Sequence, residues 1–346
     1  MWYARYSEIQ INDRFAGRAR RYLASLWEGG KRCSLLIRQA GIYNTTKFTG
    51  EDTLKRFFSV LGIIALICAL TACASAPQQA QVAATTLPVY DFTVRLCQGT
   101  DITVTRLVTE SVSCLHDYSL SVRQVKAVEG AQTVVISGAG LEEFMEDVLS
   151  DAGSVIDASA GIALLDCGEA HDHDEGHGHH HDEDPHLWLS PAYASQMAEN
   201  ICAGLTARFP GCAEAFESNL QLLLQELDTL QQYGEAQLSG LSCRELITFH
   251  DGFAYFADAF DLTILKAVEE ESGSEASAAE LKELIGMVRD HNLPAIFTER
   301  SGSVSAADII SAETGSKIFS LDMAMSGDSY FEAMYHIIDT IKEPLQ

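Results

Sequence analysis

The sequence is poor in basic residues and lacks the motifs that mark common hydrolases and redox proteins. Its 23 lysines and arginines stand against 49 aspartates and glutamates, and the formal net charge is −26. Such a charge repels nucleic-acid phosphates and excludes nucleic acid as a partner. There is no H-E-x-x-H, G-x-S-x-G or C-x-x-C pattern, which argues against zinc proteases, serine hydrolases, zinc ribbons and thioredoxin-like motifs.

The sequence also lacks an apolar run long enough for a comfortable membrane span. Phe57–Leu70 is apolar but short, follows Lys55-Arg56 and leads into Thr71-Ala72-Cys73, which is the pattern of a secretory signal. Its end resembles a bacterial lipobox, in which Cys73 is lipidated and becomes the mature N-terminus; a plain signal anchor is the alternative. Only 12 basic side chains follow Cys73, against 44 acidic ones, so the exported part would be more acidic than the whole chain.

Nine cysteines occur, of which Cys33, Cys68 and Cys73 precede or form the lipidation site. The six others are Cys97, Cys114, Cys167, Cys202, Cys212 and Cys243. An even number in an exported chain permits disulfides, and the pairing stays open. Cys202 and Cys212 flank a Pro-Gly turn that would bring them close.

Short predicted strands and helices alternate on both sides of one long helix. Runs such as Thr133–Ser137 and Leu246–Phe249 predict buried strands, and the helical patterns between strands imply parallel sheets. In Ala213–Leu238, apolar residues recur three and four apart on one helical face. We therefore expect an α/β fold of two lobes joined by a helix. The expected segments are 1–53 (non-native or misassigned, with translation starting near Leu54), 54–73 (lipoprotein signal peptide), 74–81 (tether), 82–209 (first lobe), 210–240 (linking helix) and 241–346 (second lobe).

An acidic, histidine-rich segment, residues 169–183, is the most informative stretch. Its histidines are His171, His173, His177, His179, His180 and His181. Neutral imidazole and carboxylate are ligands that first-row metals favour, and nothing in the segment could form an apolar core. The segment predicts an auxiliary metal-binding loop; a solvated loop without function is the alternative. An expression tag is disfavoured because the run is internal and leads into the apolar Leu187-Trp188-Leu189.

Four further candidates lie at or near predicted strand ends: His116, His186, His250 and Asp322. Ligands of open parallel sheets bind beyond the carboxyl ends of the strands. Three histidines and one oxygen ligand match tetrahedral zinc. Asp117 and Asp251 adjoin two of the histidines and are candidates for fixing an imidazole tautomer. His291 and His336 are interpreted as surface or helix-packing residues.

Three segments resemble, in order, the signatures of cluster A-I solute-binding proteins, the metal-receptor lipoproteins of zinc and manganese ABC importers. They are His116-Asp117-Tyr118, Asp184–Pro191 and Phe249–Phe253. The resemblance covers about residue 82 to the C-terminus. It implies two α/β lobes with mainly parallel sheets, joined by a long rigid backbone helix, with the metal at their interface.

The resemblance also implies a ligand set, with His116 and His186 from the first lobe and His250 and Asp322 from the second. Two departures stand out. The family usually continues the strand bearing Glu299 with proline and an aromatic residue, whereas this chain has Arg300-Ser301-Gly302-Ser303. The family usually follows Leu-Asp with proline, whereas this chain has Met323. Asp322 is therefore the least secure ligand, and water is the alternative fourth ligand.

The resemblance implies an extracytoplasmic, lipid-anchored receptor that is not an enzyme and delivers Zn²⁺ to the permease and ATPase of an ABC importer. Histidine at the third ligand position and the histidine-rich loop favour zinc over a manganese receptor. Two other classes stay open. One is a surface zinc buffer or adhesin whose functional part is the loop. The other is a zinc hydrolase with water activated at the three histidines, for which no general base is evident.

We expect Cys73→Ala to release the protein from the membrane or strand it as an uncleaved precursor, because the lipid is attached at that thiol. Mass spectrometry of the membrane fraction should show a lipidated Cys73 at the N-terminus of the wild type. Cys68→Ala, within the same apolar run, is the matched control and should process normally. An intact wild-type N-terminus at Met1 would contradict the prediction.

Overall fold

The computed structural model describes residues 80–110, 115, 118–165, 184–268, 276–299 and 305–346. The predicted signal peptide with Cys73, the histidine-rich loop, and His116 with Asp117 lie outside these residues.

The first lobe contains a parallel sheet whose described strands run in the spatial order β2-β1-β3-β4. The strands are β1 (Val82–Ala84), β2 (Val104–Arg106), β3 (Thr133–Ile136) and β4 (Val155–Asp157). The helices are α1 (Leu87–Leu96), α2 (Val122–Gly130), α3 (Glu146–Ser150) and α4 (Pro191–Arg208). Single 3-10 turns cover Glu143–Met145, Leu187–Leu189 and Pro210–Cys212. The central strand β1 is fully buried, as expected of a parallel sheet covered on both faces.

The linking helix α5 spans Ala213–Leu238, the stretch in which the sequence shows the helical apolar pattern. Its predicted apolar face is buried: Phe216, Leu220, Leu223, Leu227 and Leu230. A Cβ at Gly234 would lie 2.2 Å from Phe260 Cε1. Glycine at this position therefore lets α5 approach the second lobe closely.

The second lobe repeats the arrangement, with a parallel sheet in the order β6-β5-β7-β8. Its strands are β5 (Glu245–Thr248), β6 (Thr263–Ala267), β7 (Ala295–Glu299) and β8 (Lys317–Leu321). Its helices among the described residues are α6 (Ala254–Ala259), α7 (Ala278–Asp290), α8 (Ser305–Thr314) and α9 (Tyr330–Leu345). One continuous apolar cluster includes Phe92 of the first lobe, Leu227 of α5 and Phe297 of the second lobe. The two lobes therefore share part of their core.

The predicted fold class is confirmed, and several local predictions need correction. The sequence interpretation missed β4 and α4. The sequence of residues 141–149 predicts one helix, but the structure has a 3-10 turn followed by the short α3. The sequence of residues 102–108 predicts one strand, but only Val104–Arg106 forms a ladder. Among the described residues, no helix combines the length and apolar character needed to cross a bilayer.

The described cysteines are free thiols: Cys97, Cys202, Cys212 and Cys243. The turn between Cys202 and Cys212 does not lead to a disulfide. Burial raises the pKa of the Cys97 thiol to about 12. Cys97 is therefore protonated at neutral pH and a poor nucleophile.

A buried carboxylate, Glu142, ties together two strand ends of the first sheet. Its oxygens accept hydrogen bonds from Thr85 Oγ1 at 2.6 Å, Ser137 N at 2.8 Å and Gly138 N at 3.0 Å. Burial raises the pKa of Glu142 to about 7, although these three hydrogen bonds oppose the shift. The folded state therefore holds this proton more tightly than the unfolded chain does.

This shift has a defined sign for stability. The pKa of Glu142 is higher in the folded protein than in the unfolded chain. Its contribution to stability is therefore fully present below about pH 4.5 and is lost as the pH rises through about 7. The free energy of unfolding of the wild type should fall between pH 5 and pH 8 as Glu142 ionises. We expect this fall to be about 2 kcal/mol smaller in Glu142→Gln. Urea denaturation at both pH values tests this, with the exposed neighbour variant Glu143→Gln as control. Equal pH dependence in wild type and Glu142→Gln would contradict the prediction.

Candidate metal centre

Two of the predicted ligands, His186 and His250, meet where the lobes face each other. Their Nε2 atoms lie 3.4 Å apart, and the rings are nearly perpendicular, with centroids 5.2 Å apart. The His186 side chain is 11% exposed and that of His250 is 18% exposed. The two imidazoles therefore form a largely desolvated pair with their ε nitrogens close together.

A carboxylate lies beside the other nitrogen of each ring. Asp184 Oδ1 lies 2.7 Å from His186 Nδ1 and also accepts a 2.8 Å bond from the backbone N–H of His186. Glu299 Oε1 lies 3.2 Å from His250 Nδ1. At His186, the hydrogen bond with Asp184 favours the proton on Nδ1 and leaves Nε2 with its lone pair, the form that binds metals. At His250, Glu299 places a negative charge beside Nδ1.

Neighbouring strands of the second sheet explain how His250 and Glu299 come together. His250 follows β5 and Glu299 ends β7, and β5 and β7 are adjacent and parallel. The backbone N–H of Phe249 donates to Phe297 O at 2.9 Å, which extends this pairing towards the strand ends. The third strand, β8, leads into Asp322. Three adjacent carboxyl ends thus deliver a histidine and two acids to one edge, as open parallel sheets do.

Gly252 packs closely against the two imidazoles. A Cβ at this position would lie 2.4 Å from Met323 Cε, 2.8 Å from His250 Cδ2 and 2.9 Å from His186 Nδ1. Any larger residue would push against both rings. The methyl group of Met323 thus lies against Gly252, on the side that faces the two rings.

Asp322 is placed differently from the histidine pair. Its Oδ1 accepts a 3.2 Å bond from the backbone N–H of Met325, and its Oδ2 accepts a bond from Ser326 Oγ. Within the described ranges, no set of three His, Cys, Asp or Glu side chains is arranged to hold a metal ion. The structure thus brings together His186 and His250 of the predicted set.

The acids beside the imidazoles were not foreseen. Asp117 lies outside the described residues, and Asp251 is half-buried beside His250. The positions of Asp184, two residues before His186, and of Glu299, at a strand end, were the signals that could have identified them.

The two remaining described histidines lie away from this pair. His291 ends α7, where its Nδ1 lies 3.0 Å from Glu245 Oε2, and His336 is exposed on α9. Both fit the surface role that the sequence indicated.

The spacing of the two ε nitrogens suits a tetrahedral cation. Two nitrogens at the usual zinc distance of about 2.0–2.1 Å would be about 3.3 Å apart across a tetrahedral angle. The observed Nε2–Nε2 distance is 3.4 Å. The pair could therefore hold zinc with little rearrangement, and further ligands would complete the shell.

Comparison with known proteins gives one family match that covers most of the chain. Residues 82–344 match the family described as zinc-uptake complex component A, periplasmic. A crystal structure titled as that of ZnuA superposes with a TM-score of 0.66 at 28% sequence identity, covering 77% of this chain and 100% of that one.

Relatives with assigned metals include both zinc and manganese proteins. The zinc-binding lipoprotein AdcA of Streptococcus pneumoniae is 29% identical over 302 residues, which cover 81% of this chain and 60% of AdcA. The manganese-binding lipoprotein MntA of Bacillus subtilis is 28% identical over 280 residues, which cover 77% of this chain and 87% of MntA. The alignment thus spans only about three-fifths of AdcA.

We expect Glu299→Gln to weaken zinc binding by about tenfold or more, because removing the charge behind His250 lowers the basicity of the ligand and loosens its orientation. Competition with a chromogenic chelator measures the affinity. Glu245→Gln is the matched control, since Glu245 contacts His291 in an exposed pair away from the site. Equal zinc affinities for the two variants would contradict a role for Glu299 at the metal.

Proposed function

Because the chain belongs to the family of periplasmic zinc-uptake component A proteins, we propose that it captures Zn²⁺ outside the cytoplasm and delivers it to an ABC importer. The observation that carries this proposal is the His186–His250 pair, with Nε2 atoms 3.4 Å apart. In the proposed site, His116 and Asp322 supply the remaining ligands, with water replacing Asp322 as the alternative.

Zinc rather than manganese is the proposed cargo, although MntA is also a relative. Manganese lies at the weak end of the divalent series for nitrogen ligands and suits oxygen-rich sites. Two largely buried imidazoles, each with a carboxylate beside its Nδ1, make a nitrogen-rich centre. This chemistry favours zinc.

The remaining parts of the chain fit the same proposal. Lipidation at Cys73 would hold the receptor at the membrane, where the permease and its ATPase receive the metal. The histidine-rich loop, with His171, His173, His177, His179, His180 and His181, would collect additional zinc at lower affinity. We expect the lower affinity because the segment is rich in glycine and charged residues and poor in apolar ones.

Zinc titration of the purified protein tests the proposal. We expect one tight equivalent and further weaker ones. His116→Ala, His186→Ala and His250→Ala should each lower the affinity of the tight equivalent by orders of magnitude, because each removes a bond to the metal. His336→Ala, an exposed histidine on α9, is the control and should bind as wild type does.

Two further measurements distinguish binding at the histidine pair from binding at the loop, and zinc from manganese. Deleting residues 171–181 should remove the weaker equivalents and leave the tight one. Manganese should raise the melting temperature far less than zinc at equal free concentration, because stabilisation by a bound ligand grows with the logarithm of its free concentration divided by its Kd. Loss of all zinc binding on loop deletion would favour a buffer, and equal stabilisation by manganese would overturn the zinc assignment.

A further inference from the structure

The segment that follows Asp322 is bonded to the opposite lobe. We define the Asp322 loop as residues 322–329, between β8 and α9. Trp188 Nε1 of the first lobe donates to Met323 O at 2.7 Å. Arg106 Nη1, also of the first lobe, donates to Gly327 O at 2.8 Å. The loop leaves the second sheet but is fastened at both ends to the first lobe.

The helix that follows the loop is anchored in the same way. Asp91 Oδ2, on α1, accepts a 2.9 Å bond from the backbone N–H of Tyr330, the first residue of α9. The Tyr330 hydroxyl donates to Trp188 O at 2.7 Å, and Tyr330 is fully buried. These contacts fix where the loop ends, so the path of the loop depends on the first lobe.

Of these contacts, the hydrogen bond from Arg106 is the most suitable for testing by substitution. Arg106 is the last residue of β2, and its side chain lies over the ring of Tyr90, with 5.9 Å between the guanidinium carbon and the ring centroid. Gly327, which accepts its hydrogen bond, has φ +99°, a conformation that L side chains rarely adopt. Arg106 thus links β2 of the first lobe to the loop that begins at Asp322, the proposed ligand from the second lobe.

We propose that Arg106 is a positioning residue that holds the Asp322 loop against the first lobe and thereby slows the release of bound zinc. The inference rests on the proposed function, since Asp322 is itself a proposed ligand. Without the bond, the loop could move away with Asp322 while His186 and His250 stay in place. A charge-assisted hydrogen bond of ordinary strength corresponds to about a tenfold change in rate or affinity.

Arg208 offers a matched control on the same lobe. Its guanidinium lies 5.2 Å from the centroid of Phe209, and it donates to Gln132 O at 3.2 Å. It thus makes the same two kinds of contact as Arg106, but to its own lobe and away from the Asp322 loop.

The experiment is a stopped-flow measurement of zinc release from the purified, zinc-loaded protein into excess chelator. We expect Arg106→Ala to release zinc about tenfold faster than wild type. Arg106→Lys should lie in between, because lysine can still reach the carbonyl but lacks the planar guanidinium. Arg208→Ala should release zinc at the wild-type rate. Melting of the metal-free proteins serves as the structural readout, and Arg106→Ala and Arg208→Ala should melt alike.

The outcomes separate this inference from the proposed function. If the wild type binds zinc tightly but Arg106→Ala releases it at the rate of Arg208→Ala, the positioning role is wrong and the receptor proposal stands. Arg106→Lys offers a second check. If it released zinc faster and its metal-free form lost stability to the same degree, the role would also be overturned, because the effect would then be general destabilisation. A wild type without tight zinc binding would instead refute the proposed function.

Discussion

The geometry of the two imidazoles depends on how one buried segment, His186–Leu189, is held between the lobes. Trp188 is fully buried, its indole N–H is donated to the backbone of Met323, and its own carbonyl accepts the hydroxyl of Tyr330. Leaving such buried groups unpaired would cost about 1–3 kcal/mol each, so the segment cannot shift without losing several bonds together. The position of His186 is therefore set by contacts with the second lobe. The 3.4 Å distance between the Nε2 atoms of His186 and His250 depends on these contacts.

The shared core limits how the molecule can move. The linking helix α5 buries one apolar face along its length, and Phe260 fits against it at Gly234. Wide separation of the lobes would expose apolar surface of the common cluster, at about 25 cal/mol for each Å². A single long helix also resists bending. Metal entry and exit should therefore involve modest lobe shifts and local loop movements such as that of the Asp322 loop, rather than wide closure about a hinge.

Support around the pair is divided between the lobes in a regular way. Asp184 hydrogen-bonds His186 within the first lobe, and Glu299 lies at ion-pair distance from His250 within the second. Each lobe thus places one acid beside its histidine, whereas the Asp322 loop is held across the interface by Arg106 and Trp188. In the proposed receptor, this arrangement makes the histidines the preorganised part of the site and the loop the part whose movement can admit or release the metal.

The sequence by itself determined the repeated βα pattern, the apolar face of α5 and the placement of His250 after a strand, because apolar periodicity and strand-end position are local properties. It did not reveal β4, where one buried residue stands between two exposed ones, or α4, whose buried residues include small ones that dilute the periodic signal. Only the tertiary structure paired Glu299 with His250, placed Met323 beside Gly252 and joined Arg106 to Gly327. The physical reason is that these contacts depend on the spatial order β6-β5-β7-β8 and on the lobe interface, which join residues far apart in the chain and leave no periodic trace in it.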